Sequence, residues 1–458
     1  MGSINASLTG QVDDLNHDGW GVVHAGKTVF VAGALPGETI EYRVRRRQRN
    51  FDEAELIRVI EPSADRIAPA CAHFGTCGGC ALQHLAPESQ LHIKDKMLRE
   101  ALRRIGKVEP VQWLAPLSGD PWGYRRRARL GARFVHAKGR SMVGFRERLS
   151  SFVADIQRCH VLVPTVGNLI GELSALISRL SIPTRIPQIE VAAGDDCVVL
   201  VLRTLSPLNE ADREALRDFE RTHGVRWLLQ PGGPSTVTPL HGAAPELWYG
   251  LPEYGLRMAF EPADFIQVNG PMNRRLISHV LDLMQLDGRS EVLDLFCGLG
   301  NFTLPMATRA RRVVGMEGDA GLITRAQANA VANGLENAQF VTTNLAGEGA
   351  TERCLAAAGA GSWTHVLLDP PRTGASDILP ALARLGPRRV VYVSCHPGSL
   401  ARDLGILITV HGFRLAAAGI VDMFPHTSHV ESVAVLDGPG SARETLHRLR
   451  GARYEQED

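Results

Sequence analysis

Five apolar runs in the last two-fifths of the chain restrict its fold more than any other feature: Val292–Phe296, Val313–Glu317, Phe340–Val341, His365–Asp369 and Val390–Cys395. Helix-like stretches separate them. Strands that are apolar throughout belong between two helical layers, so the alternation predicts a doubly wound α/β domain with a mainly parallel sheet. No run reaches the ~18–20 apolar residues that cross a bilayer. Met1–Gly10 lacks the basic-then-apolar order of a signal peptide. A cytoplasmic protein without membrane attachment is therefore expected.

The ends of these runs carry groups suited to ligand chemistry. Asp294 is followed by a Gly-x-Gly turn at Gly298 and Gly300, where the absence of side chains lets a ligand approach the backbone. Glu317, 23 positions after Asp294, closes the next run, where a carboxylate can accept from both hydroxyls of a ribose. Thr303 stands where dinucleotide binders have a third glycine, so a mononucleoside such as S-adenosylmethionine is expected rather than NAD. Asp369-Pro370-Pro371-Arg372 ends another run with a rigid exit that fixes the aspartate.

Ser394-Cys395-His396-Pro397 ends the last run. A cysteine there suits an acceptor carbon that is a poor nucleophile, such as C5 of uracil. Thiolate addition at C6 makes the ring an enolate whose C5 attacks a methyl sulfonium. A base must then remove the C5 proton. Glu431 is the candidate, with His426 and His429 as rivals.

At 458 residues the chain is long enough for two or three domains. Residues 1–62 read as a small β-barrel, with a tight turn at Gly26-Lys27, a second turn at Ala34–Glu38, and a strand Thr39–Arg47. That strand alternates Ile40, Tyr42 and Val44 with Glu41, Arg43 and Arg45. Residues 63–258 read as a middle α+β domain, with a helix over Ser89–Ile105, another near Thr165–Leu180, and strands at Arg127–Phe134, Ile189–Ala193 and Val198–Leu202. Residues 259–458 form the α/β domain. Net charge is only +1. However, Arg43, Arg45, Arg46, Arg47 and Arg49 form one basic cluster, and Arg125, Arg126, Arg127, Arg129 and Arg133 form another. Local patches of this kind suit a face that grips phosphates.

Of eight cysteines, Cys71, Cys77 and Cys80 crowd into ten residues with Gly75, Gly78 and Gly79 between them. Three thiolates so close call for a metal or cluster. Cys159 is the best fourth ligand, because Cys197 lies in an apolar strand run and Cys354 in a helical stretch. Four thiolates suit zinc or [4Fe–4S], and spacing does not choose between them. His73, His84 and His160 are nearby alternatives as ligands.

Taken together, Phe265–Asn269, Asp294–Phe302, Asp369–Arg372, Ser394–Pro397 and His429–Glu431 resemble the motifs of the RNA uracil-5-methyltransferase family, and the resemblance covers nearly the whole chain. It implies a C-terminal Rossmann-like S-adenosylmethionine-dependent methyltransferase domain and an N-terminal TRAM-like (OB-like) barrel. Cys395 would be the nucleophile and Glu431 the base. Gln267, Phe296, Asn301, Glu317, Asn344 and Asp369 would line the S-adenosylmethionine site, and Cys71, Cys77, Cys80 and Cys159 would bind [4Fe–4S]. Phe265 would stack on the flipped uracil. A barrel together with a cysteine cluster resembles the members that modify uridine 1939 of 23S rRNA, with no obligate protein partner. His396 stands where the family usually has asparagine, and a protonated histidine there would lower the pKa of the adjacent thiol. Two other readings compete. One is methylation of an exocyclic amine, which needs no thiolate; the other is a non-enzymatic RNA-binding module with a redox-sensing cluster.

Overall fold

The computed structural model describes residues 7–439 of the chain; the outer limits of the first and last expected domains, 1–6 and 440–458, lie outside them. The C-terminal sheet has eight strands, in the order Ala338–Thr342, Arg312–Glu317, Glu291–Leu295, His365–Leu368, Arg389–Ser394, Glu431–Asp437, Arg414–Val421 and Gln112–Trp113. The first five are parallel, and Glu431–Asp437 runs antiparallel to both its neighbours. Neighbouring residues of one strand go to different cores. Val292 packs with Leu276, Ile277 and Val280 of the helix Gly270–Met284. Leu293 and Leu295 pack with Leu400, Leu404 and Leu407 of the helix Pro397–Thr409. This division between two apolar layers is why the runs are apolar throughout.

Strand order reverses between Glu291–Leu295 and its neighbour His365–Leu368. Ligands of open α/β sheets bind beyond the carboxyl ends of strands at such a point. Gly298, Glu317, Asp369 and Cys395 all follow strand ends on that side of the sheet.

Residues 8–61 form a six-stranded sheet. Leu8–Gln11 pairs with residues 39–42, Asp14–Leu15 pairs with Gly21 and Val22, and Val12 and Asp13 donate to Glu38 and Val22 in between. One segment therefore joins both margins of the six-stranded sheet. Ile40, Tyr42 and Val44 point inward. The hairpin at Gly26 turns with φ +75°, a left-handed conformation that glycine adopts without a steric cost. The arginines facing outward are less free than their count suggests, since Arg43 and Arg45 both pair with Glu55.

The middle region is α+β, with strand order Thr238–Pro239, Val225–Gln230, Val198–Arg203, Gln188–Ala193, Arg127–Val135 and Arg140–Gly144. Ile170–Arg179 and Glu210–His223 pack on one face through Leu173, Leu176, Leu216 and Phe219. The other face meets the C-terminal core through the ribbon Leu247–Leu251 and Leu256–Phe260.

Three expectations need correction. The stretch expected to be a single helix near 165–180 is two, Pro164–Gly167 and Ile170–Arg179. The second arginine cluster is divided: Arg126 pairs with Asp195 and Arg127 donates to the Asp264 carbonyl, whereas Arg129 and Arg133 are exposed, Arg129 with Glu190 beside it. The middle region is also not one uninterrupted block. The helix Pro87–Ala101, with the turn that follows it, lays Leu98 and Leu102 into the core beneath the C-terminal sheet, and Gln112–Trp113 forms that sheet's outer strand. Without this segment the outer margin of Arg414–Val421 would be left unpaired.

Candidate active site

Three carboxylates converge beyond the strand ends. Asp294 is fully buried. One of its oxygens accepts from the Thr303 hydroxyl, and the other has no hydrogen-bond partner among the described residues. Burial, with Asp369 and Glu317 close by, pushes the Asp294 carboxyl up to about 7; burial does the same to Asp369. Glu317 is held by the amides of Gly318 (2.7 Å), Asp319 (3.1 Å) and Gly298 (3.3 Å). These bonds fix it at the mouth of the Gly-x-Gly turn. Phe296 adopts φ +68°, which a bulky residue avoids unless its surroundings impose it; the Phe296 and Cys297 amides both donate to the Met316 carbonyl. The result is a cradle of negative groups and bare backbone that suits a cationic nucleoside.

Of the other expected cofactor residues, Asn301 is the most constrained. Its amide oxygen accepts from Tyr249 Oη and from Asn273 Nδ2, both at 2.9 Å, and its amide nitrogen donates to Asn273 Oδ1 at 3.0 Å. Both acceptor positions are taken, so Asn301 latches the turn to the helix Gly270–Met284 and keeps one N–H in reserve. Asn344 lies beside Glu317, because the preceding Thr343 amide donates to the Glu317 carbonyl; its own side-chain oxygen accepts from Ala346 N at 2.9 Å. Gln267 is half-buried in the extended approach to the helix Gly270–Met284, two positions from Phe265, whose ring is 70% exposed.

The nucleophile and base candidates meet across a strand pair. Ser394 pairs with Ser432 as the final rung between Arg389–Ser394 and Glu431–Asp437. The next positions beyond that rung are Cys395 on one side and Glu431 on the other, and residues facing one another in this way share a face of the sheet. Burial, then Glu431 and Asp369, raise the Cys395 thiol, while Arg372 opposes them. Burial and Asp369 likewise push Glu431 well above the ordinary carboxylate range, again against Arg372. Arg372 also donates to His429 Nδ1 at 3.2 Å. The sequence marks Arg372 only as the end of a motif; its place as the cation beside both Cys395 and Glu431 is visible only in three dimensions.

A family model described as tRNA (Uracil-5-)-methyltransferase matches residues 254–438. The 23S rRNA (uracil(1939)-C(5))-methyltransferase RlmD of Alkalilimnicola ehrlichii is 50% identical over 430 residues, covering 93% of this chain and 95% of that protein. The chain belongs to the RNA uracil-5-methyltransferase family. Its RlmD relative from Xanthomonas campestris pv. campestris is 48% identical over 430 residues, covering 93% and 96% of the two chains. Among solved structures, Pyrococcus abyssi tRNA (uracil-54, C5)-methyltransferase in complex with S-adenosyl-L-homocysteine aligns with TM-score 0.70 at 24% identity, over 94% of this chain and all of that one; this likeness concerns the fold.

Within this uracil-5-methyltransferase, His396 holds a helix end. Its Nδ1 accepts from the Ser399 amide at 3.1 Å and so caps the helix Pro397–Thr409, the place an asparagine oxygen would fill. An accepting Nδ1 carries no proton. Burial, Arg372, His17 and Arg402 all lower the His396 pKa. Both features favour the neutral ring, the form that leaves the neighbouring thiol undepressed. Of the rival bases, His426 is buried, held down to about 4 by burial, and packed at a tilt against Trp122 with ring centroids 4.1 Å apart. It belongs to the framework. His429 is occupied by Arg372.

Cys71, Cys77, Cys80 and Cys159 line one pocket of the middle region. Cys77 Sγ accepts from the Gly79 amide at 3.4 Å, and the Val161 and Leu162 amides favour the Cys159 thiolate. Burial raises Cys77 to about 11 and Cys80 to about 12, and the neighbouring cysteines add to the shift. Among the described residues, no three His, Cys, Asp or Glu side chains are gathered to hold a single metal ion. Gly167 escaped notice in the sequence. A Cβ there would meet the Cys159 carbonyl at 2.2 Å, and the Cys159 amide donates to the Gly167 carbonyl at 2.8 Å. This close approach breaks the expected helix and seats Cys159.

Proposed function

We propose that this protein methylates C5 of a uridine of 23S rRNA with S-adenosylmethionine, at the position its relatives name 1939, and yields 5-methyluridine. The opposition of Cys395 and Glu431 beside the carboxylate crevice carries the reading. S-adenosylmethionine supplies an electrophilic methyl group. Asp294, Glu317 and Asp369 offer negative charge to the sulfonium donor, Glu317 is suited to its ribose, and Gln267, Phe296, Asn301 and Asn344 complete the lining. The target uracil must leave its stack to reach the pocket, where the exposed Phe265 ring offers a stacking surface. Cys395 thiolate adds to C6, and the electron pair moves to C5 and O4. C5 then takes the methyl group as the methyl–sulfonium bond breaks, its electron pair staying on the donor sulfur. Glu431 removes the C5 proton, the C5–C6 double bond re-forms, and the C6–S bond breaks to return the thiolate. The upward shift of Glu431 suits a base that must accept a proton near neutral pH.

We further propose that the barrel is a TRAM-like RNA-binding module and that the four cysteines hold a [4Fe–4S] cluster. All-sulfur donors and N–H groups directed at sulfur support a thiolate-held group here, and the resemblance to the family members with a cysteine cluster favours [4Fe–4S] over a lone zinc. The cluster would brace the loop, since the carbon chemistry requires no electron transfer. An rRNA substrate places the work in the cytoplasm.

The deciding experiment uses RNA containing 5-fluorouridine. Fluorine blocks proton removal, so the wild type should form a stable protein–RNA adduct and Cys395→Ala should form none. Absence of adduct with the wild type, or equal adduct with Cys395→Ala, rejects the covalent scheme. Anaerobically prepared protein should be brown and contain iron and sulfide; a colourless protein with one zinc rejects the cluster.

A further inference from the structure

The residues bearing Glu431 are held from outside their own sheet. Val421 and Glu431 are the end pair of the hairpin Arg414–Val421 and Glu431–Asp437, so residues 422–430 leave the sheet and return to it at the base itself. Along this loop, Lys94 Nζ donates to Asp422 at 2.6 Å and to the Phe424 carbonyl at 3.0 Å, although Lys94 is only 1% exposed. Tyr124 Oη donates to the Pro425 carbonyl at 3.1 Å. The His426 carbonyl accepts from the amides of Ala81 (2.8 Å) and Leu82 (2.9 Å), adjacent to Cys80. His426 itself has φ +65°, a left-handed backbone that a non-glycine residue keeps only when its surroundings hold it.

Gln90 joins these parts. Its side-chain oxygen accepts from the His426 amide at 3.1 Å, and its side-chain nitrogen donates to the carbonyls of Leu82 (3.0 Å) and Leu85 (2.8 Å). One buried amide thus ties the cysteine loop to the loop that ends at Glu431. We propose that Gln90 is a positioning residue for proton removal, because it clamps the 422–430 loop between the helix Pro87–Ala101 and the cysteine loop and so sets where the Glu431 carboxylate stands. The inference rests on the covalent mechanism proposed above. Thiol addition and methyl transfer depend on Cys395 and the crevice, which belong to other segments. Loosening the clamp therefore slows the later half of the cycle, in which the C5 proton passes to Glu431 and the C6–S bond breaks, and leaves the earlier half intact. A base displaced by about 1 Å loses on the order of 100-fold in rate.

The test follows the full-length protein with unmodified RNA substrate, measuring turnover and the fraction of protein held as methylated RNA adduct on a denaturing gel. Glu431→Gln is the reference for a blocked proton step and should accumulate adduct. Gln90→Met should lower turnover by ~10–100-fold and accumulate adduct, with RNA and S-adenosylmethionine affinities within ~3-fold of wild type. Tyr124→Phe, which deletes a single loop contact, should show the same pattern more weakly and covers the case in which Gln90→Met does not fold. Slower turnover without adduct, or wild-type behaviour in whichever variant folds, overturns the assignment while Glu431→Gln still traps. If Glu431→Gln and the fluorinated substrate both fail to trap, the covalent reading falls and takes the inference with it.

Discussion

The carboxylate crevice and the thiol pocket are alike in charge and opposite in construction. Each gathers acidic groups whose protons burial and repulsion hold on: Asp294 and Asp369 to about 7, Cys77 to about 11 and Cys80 to about 12. The crevice is built on the ends of parallel strands whose ladders hold its members in place. The pocket hangs on loops, with Gly78 and Gly79 between two of its thiols and Gly167 pressed against the fourth. A site that releases its ligand every cycle must keep its shape unaided. A site that retains its ligand can use that ligand as part of its framework. On the reading proposed here, the first describes S-adenosylmethionine and the second an iron–sulfur cluster.

Substitutions on each side probe this contrast. Cys395→Ala should lower methyl transfer by at least ~10⁴-fold, with iron content and cofactor affinity unchanged by assay. Asp369→Ala should weaken S-adenosylmethionine binding by ~10–100-fold in calorimetry, since one buried charged partner is worth ~1.5–3 kcal/mol, and should leave iron content as it was. Cys77→Ala should do the reverse: iron lost, the melting temperature lowered by several degrees, RNA affinity reduced ~10-fold or more, and S-adenosylmethionine affinity retained. Loss of cofactor affinity in Cys77→Ala would break the comparison.

A fourth expectation concerns pH. Asp294 and Asp369 have folded pKa values of about 7, raised above the ~3.9 of an unfolded aspartate. Their contribution to stability is complete below the unfolded value and is lost as pH rises through the folded one. The melting temperature of ligand-free protein should therefore fall between pH ~4 and ~7 relative to Asp294→Asn. S-adenosylmethionine should stabilise more than its uncharged product above pH ~7. The smallest effect is expected for His396→Asn, which replaces one N-cap with another and should change stability by less than ~1 kcal/mol without shifting the pH profile of adduct formation.

The sequence displayed the catalytic sheet clearly because buried parallel strands are unbroken apolar runs and because Gly298, Asp369 and Cys395 sit where those runs stop. Inward and outward residues of Thr39–Arg47 were legible for the same kind of reason, a period of two. The helix Pro87–Ala101 was legible as a helix but not as part of the catalytic core, since spacing reveals which face is apolar and not what covers it. Arg126 and Arg127 look like surface charge in a string of letters, and only the fold supplies Asp195 and the Asp264 carbonyl. Gly167 lies inside a helical pattern, where a glycine reads as a weak point rather than as a place of contact. Gln90 and Arg372 carry no local signal, because His426 lies 336 residues from the first and His429 57 residues from the second.

Cys395 and Glu431 stand one position beyond the last rung of one antiparallel ladder, a fact with thermal consequences. Fraying begins at ladder ends, so the reacting pair separates before the sheet does. Warming should extinguish turnover several degrees below the temperature at which circular dichroism records loss of the fold, and cooling from that interval should restore it in full.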